Sequence, residues 1–400
     1  MLEARIRQSR PTRRRVLHAM GGLALGLTLA ACGGGPERPG PITGPSAPVD
    51  ASAPVRVALL VPLGSADPKR AALGRSLVNA ARLAQSDLKG ARIDLKVYPT
   101  AGDPRRAAVA ATRAIQDGAR IIVGPLFGVA AEAVGPIAAR AGVKVLTFST
   151  TPAVAGGNVF LLGQTADTEA RRIVSYAASR GITALAIFYP RTPSGKVAEI
   201  AVRDAARRSG VTVVTAMDYP RSVEGIQQRS AEYAAIHSAP ALVLPEGGQG
   251  LKSVAAFLAH SGVDAKSTRF LGLGQWNSPL TRTESALQGG WFVAPDPALF
   301  AAFASRYRAA YGTSPKPIAS LAYDGIAAVG AMIRDARRSG ETDPFSISNI
   351  TDPHGFAGVN GIFRFRRDGL IDRALAVMEV GPEGFQVISP APRSFAAFAS

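Results

Sequence analysis

The residues that could do covalent chemistry are few and scattered. Cys32 is the only thiol, so the chain can form neither an intrachain disulfide nor a cysteine-based metal cluster. Beyond residue 31 the histidines are His237, His260 and His354, in separate segments without metal-ligand spacing, and no metal site is expected. Ser86-Asp87-Leu88-Lys89 has a Ser-x-x-Lys spacing, but it falls at a predicted helix end without partner motifs and reads as helix surface. No Gly-x-Ser-x-Gly elbow, His-Glu-x-x-His or Walker-type phosphate loop occurs. No catalysis and no cofactor is therefore expected, and the side chains of interest are those that bind rather than react.

Cys32 stands at the end of Leu29-Ala30-Ala31-Cys32, behind a cationic start (Arg5, Arg7, Arg10, Arg13, Arg14, Arg15) and an apolar run from Val16 to Ala31. The run is short for a membrane span. The arrangement resembles a bacterial lipoprotein signal, which implies that Cys32 is lipidated and becomes the new N-terminus; each buried CH₂ would contribute about 0.8 kcal/mol to anchoring. Thr12-Arg13-Arg14-Arg15-Val16-Leu17 also resembles a twin-arginine export motif. Gly33 after the cysteine favours the outer membrane over the inner. From Gly33 to Pro54 five glycines and six prolines fall in 22 residues, a composition expected to form an extended tether, at most about 70 Å long.

Removing the six leading arginines and Glu3 leaves 40 basic against 28 acidic side chains, a formal charge of +12. Such a surface suits anionic lipid or an acidic partner. Nucleic acid is disfavoured: aromatic residues make up 6% of the chain, and arginines such as Arg203, Arg207 and Arg208 are dispersed as on a solvated helix face.

The elements that would position a binding site follow a regular alternation. Aliphatic runs at Val55 to Pro62, Ile93 to Thr100, Ile121 to Gly124 and Lys144 to Thr150 read as buried parallel strands. Between them Lys69 to Lys89, Pro104 to Asp117 and Val129 to Ala141 read as crossover helices, the second started by Asp103 and Pro104. A second series has helices Asp167 to Arg180, Ser194 to Ser209, Glu224 to His237 and Leu251 to Ser261. Its strands are Ala184 to Tyr189, Val211 to Ala216, Ala241 to Leu244 and Arg269 to Gly272. The class is α/β, and facing series of this kind bind ligands at the carboxyl ends of their strands.

Val57-Ala58-Leu59-Leu60-Val61-Pro62-Leu63, the segment Gly118 to Pro125, the stretch Val143 to Pro152 and the late run Phe356 to Phe365 together resemble the type I periplasmic-binding-protein fold, in the branch of leucine/isoleucine/valine-binding proteins. The resemblance implies two Rossmann-like lobes with a hinge and an inter-lobe cleft. Lobe 1 would comprise 55–164 plus about 295–340, with helices Ala298 to Tyr311 and Ile318 to Arg338 returning to it. Lobe 2 would comprise 165–294 plus about 341–384, after a signal at 1–31 and a tether at 32–54, with a tail at 385–400. In amino-acid-binding relatives, hydroxyls and backbone amides after the third and fourth strands hold the ligand. The matching loops here are Gly124 to Gly128, with Phe127 and Gly128 where serines are common, and Thr147 to Thr151. Ser65, Thr147, Ser149 and Thr150 are the ligand-cleft candidates from the first lobe, and Tyr189, Ser194, Glu246 and Trp276 from the facing one. Their structural roles would be ordinary: packing for Tyr189 and Trp276, a helix-start charge for Glu246 and a cap for Ser194.

Within that fold, Phe270 to Trp276, Gly289 to Pro297 and Ala319 to Asp324 resemble the penicillin-binding-protein-activator lipoproteins. That resemblance implies a non-catalytic envelope lipoprotein that binds and stimulates a peptidoglycan synthase. The alternative is a solute-binding lipoprotein that delivers an amino acid or another small polar ligand to an ABC permease. Cys32→Ser is expected to release the protein from membranes or to leave its signal uncut; fractionation with membranes unchanged after normal maturation would overturn the anchor.

Overall fold

A strand whose successive side chains are all apolar is stable only between two layers of helix. In β1 (Val55–Val61), Val57, Leu59 and Val61 pack into one core while Ala58 and Leu60 pack into another. The computed structural model describes residues 48–236 and 239–395. Cys32, the signal, the tether up to residue 47, His237 and the tail beyond residue 395 lie outside the described residues. β1 lies second in a parallel sheet of order β2-β1-β3-β4-β5, with β2 (Ile93–Pro99), β3 (Ile121–Val123), β4 (Lys144–Thr147) and β5 (Val159–Leu161). Between these strands run α1 (Pro68–Asp87), α2 (Pro104–Gln116) and α3 (Gly128–Arg140). Asp67 and Asp103 cap α1 and α2, accepting from the N–H of Lys69 and of Arg106, each at 2.8 Å, and a proline follows each cap. Ala107, Ala111, Ala130 and Val134 from α2 and α3 cover one face of the sheet, and Leu77 and Ala81 from α1 the other.

The second lobe repeats the logic with α4 (Ala166–Ser179), β6 (Ala184–Pro190), α5 (Pro193–Arg208), β7 (Thr212–Tyr219), α6 (Val223–Ile236), β8 (Ala241–Leu244), α7 (Gly248–His260), β9 (Arg269–Gly272), α8 (Pro279–Arg282) and β10 (Trp291–Ala294). Phe188, Leu242 and Leu244 face α6 and α7, while Leu185, Ile187 and Val243 face α4 and α5. Arg208 pairs with Asp204 on the outside of α5, a solvated helix pair of the kind dispersed arginines imply, which adds little stability. Glu199 is buried, and Arg203 and Lys196 reach it from the surface to neutralise it.

After β10 the chain returns to the first lobe. Phe303 of α9 (Pro297–Tyr311) and Ile326, Val329 and Ile333 of α10 (Ser320–Ser339) complete the core against α1. The short α11 (Ile347–Ile350) leads to a separate antiparallel sheet of β11 (Phe356–Gly358), β12 (Gly361–Phe365) and β13 (Ile371–Arg373). Then β14 (Ala376–Gly381) pairs antiparallel with β10, and β15 (Gly384–Ser389) closes that edge. The polypeptide thus passes between lobes three times, from β5 to α4, β10 to α9 and β13 to β14.

Three expectations need correction. The segment 341–384 does not belong to the second lobe as a block: Phe345, Phe356, Phe363, Phe365 and Ile371 are buried in the first lobe's core, and only β14 and β15 join the second sheet. The proline-rich segment does not stay extended to residue 54, because Val49 is buried in that same core and its N–H donates to Thr342 O at 2.7 Å. Strands β5 and β10 and the five strands after α10 carry too short or too mixed a pattern to be read as sheet.

Asp324 of α10 ties the late segment down. Wholly buried, its carboxylate accepts from Val359 N–H at 2.7 Å, Asn360 Nδ2 at 3.0 Å and Arg373 Nη1 at 2.7 Å. Gly358 permits this approach, since a Cβ there would stand 2.3 Å from Asp324 Oδ1. Asp324→Ala would strand a buried guanidinium and two further donors. It is expected to lower stability by roughly 3–5 kcal/mol in urea unfolding.

Candidate functional site

Where the crossings gather, the two lobes border a partly open cavity of about 830 Å³. Thr150, just beyond β4, contributes from the first lobe; Gly274, Asn277 and Ser278, beyond β9, from the second; and Pro295 from the β10 crossing. The cavity therefore sits at the carboxyl ends of strands from both sheets, where parallel α/β lobes present loops and helix N-termini. Phe300, Ile318, Leu321, Met378 and Phe385 give it an apolar lining.

Two buried ionisable groups break that lining. Glu169, in the first turn of α4, accepts from Gln164 Nε2 at 2.7 Å and from the Gly274 N–H at 3.1 Å. A Cβ at Gly274 would lie 2.5 Å from Glu169 Oε1, so only glycine lets this loop close over the carboxyl. Burial outweighs both hydrogen bonds and raises the Glu169 pKa to about 7. Arg373, at the end of β13, has 1% of its surface exposed. Its Nη1 is held by Asp324 and its guanidinium lies 4.7 Å from the centroid of the Phe363 ring. Nε and Nη2 have no hydrogen-bond partner among the described residues.

The eight cleft candidates are dispersed. Thr150 alone lines this cavity. Thr147 is buried, donating to Pro125 O at 2.7 Å and accepting from Ser149 N–H, so it fastens the β3 and β4 loops together. Ser149 caps its own turn by accepting from Thr151 N–H, and Ser65 does the same for Asp67. Tyr189 is half-buried at the end of β6, with the Lys196 ammonium 5.9 Å from its ring centroid. Ser194 is exposed beside Thr192, and Thr192 is the cap of α5, accepting from Gly195 N–H. Glu246 is buried and occupied by Arg221 Nη2 at 3.1 Å, Gly247 N–H at 3.0 Å and the Tyr219 hydroxyl at 3.3 Å. Trp276 is fully buried, its Nε1 donating to Leu244 O at 2.9 Å, and belongs to the second lobe's core rather than to a ligand surface. Phe127 closes against the Arg70 guanidinium, 5.4 Å from its ring centroid.

Glu169 and Arg373 went unread in the sequence for different reasons. Glu169 looks like any acidic residue in a helix's first turn. Arg373 did leave a signal, a lone cation after Asp372 in the apolar run Leu370 to Val380. No group of three or more metal-ligating side chains occurs among the described residues, and none of their helices is long and apolar enough to cross a membrane.

A family model described as Periplasmic binding protein matches residues 54–385. Among solved structures, a putative branched-chain amino acid ABC transporter from Rhodospirillum rubrum superposes with a TM-score of 0.70 at 21% identity, covering 84% of this chain and 100% of the other. An ABC transporter substrate-binding protein from Desulfitobacterium hafniense, in complex with Leu, superposes with a TM-score of 0.60 at 17% identity, over 84% and 100% of the two chains. A solute binding protein of an ABC transporter from Rhodopseudomonas palustris BisB5, in complex with 3,4-dihydroxy benzoic acid, gives 0.59 at 20% identity, over 84% and 96%. At these identities the likeness is one of fold. No curated protein matches the chain.

Glu169 supplies a pH test of the cavity. With its folded pKa raised from 4.5 to about 7, the folded state binds more protons than the unfolded state between those values, so stability falls as pH rises through that window. Glu169→Gln should abolish the fall and gain roughly 2–3 kcal/mol over the parent at pH 8, with little gain at pH 4.5. Denaturant unfolding at the two pH values measures it; an equal difference at both would refute the assignment.

Proposed function

Because this chain belongs to the periplasmic binding protein family, we propose that it is the solute-binding component of an ABC importer, closing its lobes on a small carboxylic acid or amino acid. The family is one of envelope-facing, typically non-enzymatic ligand-binding proteins. The observation that carries the reading is the cavity between strand ends of both lobes, about 830 Å³ and bordered by all three crossings, which is the size and place for a small solute. The relatives solved with Leu and with 3,4-dihydroxy benzoic acid supply the ligand chemistry to try first. Lipidation at Cys32 and tethering to the membrane remain part of this proposal, as a means of keeping a binding protein near its permease.

Stimulation of a peptidoglycan synthase was the leading expectation, and its carriers now have other employment. Trp276 is core, Asp324 holds a buried ion pair, and Trp291 donates to Glu379 at 2.9 Å within the second lobe. Trp276 and Asp324 are therefore closed to a partner, and Trp291 is half-buried.

The purified protein should bind leucine, benzoate or 3,4-dihydroxybenzoate with a rise in unfolding temperature. A ligand at a hundred times its Kd adds about 2.7 kcal/mol. Crosslinking in envelopes should recover a permease. Recovery of a synthase, with no ligand bound from the panel, would overturn the reading.

A further inference from the structure

Arg373 is charged, buried and half-satisfied. A guanidinium presents two forks of parallel N–H groups, one end-on and one side-on, each matched to a carboxylate. Asp324 uses Nη1 through a single contact at 2.7 Å. Nε and Nη2, the pair without partners among the described residues, are together the side-on fork. Leaving two buried charged donors unmade is costly, and although both atoms are sealed from solvent, they belong to a residue that borders the cavity, where a bidentate anion would complete their fork.

We infer that this side-on fork receives the carboxylate of the solute, and that the solute is an organic acid with an apolar body and no ammonium group. The inference rests on the solute-binding reading and narrows it. The apolar body follows from Phe300, Ile318, Leu321, Met378 and Phe385 in the cavity wall. The lack of an ammonium partner follows from the acidic groups. Glu246 is already engaged by Arg221. Both oxygens of Glu169 already accept hydrogen bonds, and burial favours its neutral form. Glu383 lines the cavity only as an exposed side chain, as does Arg282, so water screens both. Nε and Nη2 are covered from solvent in this structure, so the inference requires that movement of the lobes at the crossings uncover them.

Calorimetry with a matched series tests this: benzoate and benzamide, then 4-methylpentanoate, its amide and leucine. At least one of the two acids should bind, and its amide should bind at least about a hundredfold more weakly, as when a site's buried donors lose their acceptor. Leucine should bind more weakly than 4-methylpentanoate. Arg373→Lys keeps the charge beside Asp324 but removes the fork, and should weaken the acid by about tenfold or more. Should that variant fail to fold, the Arg373 Nε–H resonance of the parent protein, shifting downfield with the acid and not with the amide, gives the same answer. Equal affinity for acid and amide, tighter binding of leucine, or an unmoved Nε–H would each overturn the carboxylate assignment while leaving a solute-binding protein. Absence of binding by every member of the series would overturn this inference, and with it the importer reading if envelopes then yield a synthase.

Discussion

The buried carboxylate of Asp324 fixes the geometry on which both lobes depend. It stands in the first turns of α10 and collects a backbone N–H, an amide and a guanidinium from the segment between α11 and β14. Besides it, the three-stranded sheet is held to the first lobe by the apolar side chains of Phe356, Phe363, Phe365 and Ile371, by the Leu161 N–H on Gly369 O at 2.8 Å and by Asn360 Nδ2 on Ser320 Oγ at 2.8 Å, none of which engages β13 as the Arg373 pair does. A buried ion pair brings little net stability over an apolar substitute, yet breaking one partner alone is severe. Its effect here is to set the direction in which the chain leaves β13 for β14, and therefore how the third crossing enters the second lobe.

The alternation of strand and helix was legible because the strands are buried on both faces. Ala241 to Leu244 and Arg269 to Gly272 coincide with β8 and β9, since no polar position interrupts the apolar signal of a central parallel strand. The later strands were illegible for the opposite reason. β12 reads Gly-Ile-Phe-Arg-Phe, with Arg364 turned to Asp372, and β14 carries Glu379 bound to Trp291. Charges neutralised by neighbouring strands look, in one dimension, like loop. The same limit hid Val49, whose burial depends on α10 and its C-terminal turn nearly 300 residues away.

The site was less legible than the fold, and the residues explain why. Hydroxyls after β4 matched the expected type, but Thr147 and Ser149 serve their own loops, a role that sequence cannot distinguish from ligand contact. Gln275-Trp276 and Gly289-Gly290-Trp291 looked like a surface for a partner because they are distinctive. They are distinctive through packing: a Cβ on Gly272 or Gly290 would run into the Trp276 ring, at 2.1 Å and 2.8 Å. For Trp276 the motif records how its indole is housed.

Arg373 carries two obligations, and their conflict connects stability to function. Its bond to Asp324 anchors the last crossing, while its two unpaired buried donors cost free energy. A fully paired arginine would be more stable and would have nothing left to give a ligand. A solute that paired the fork and also touched Thr150 from one lobe and Gly274 or Ser278 from the other would bind best in the arrangement that brings those residues around it. Its differential affinity for that arrangement is then the whole driving force for closure. The unsatisfied donors lie beside a crossing rather than at a lobe's outer surface, so under the proposed reading a bound carboxylate would act next to the place where the lobes hinge.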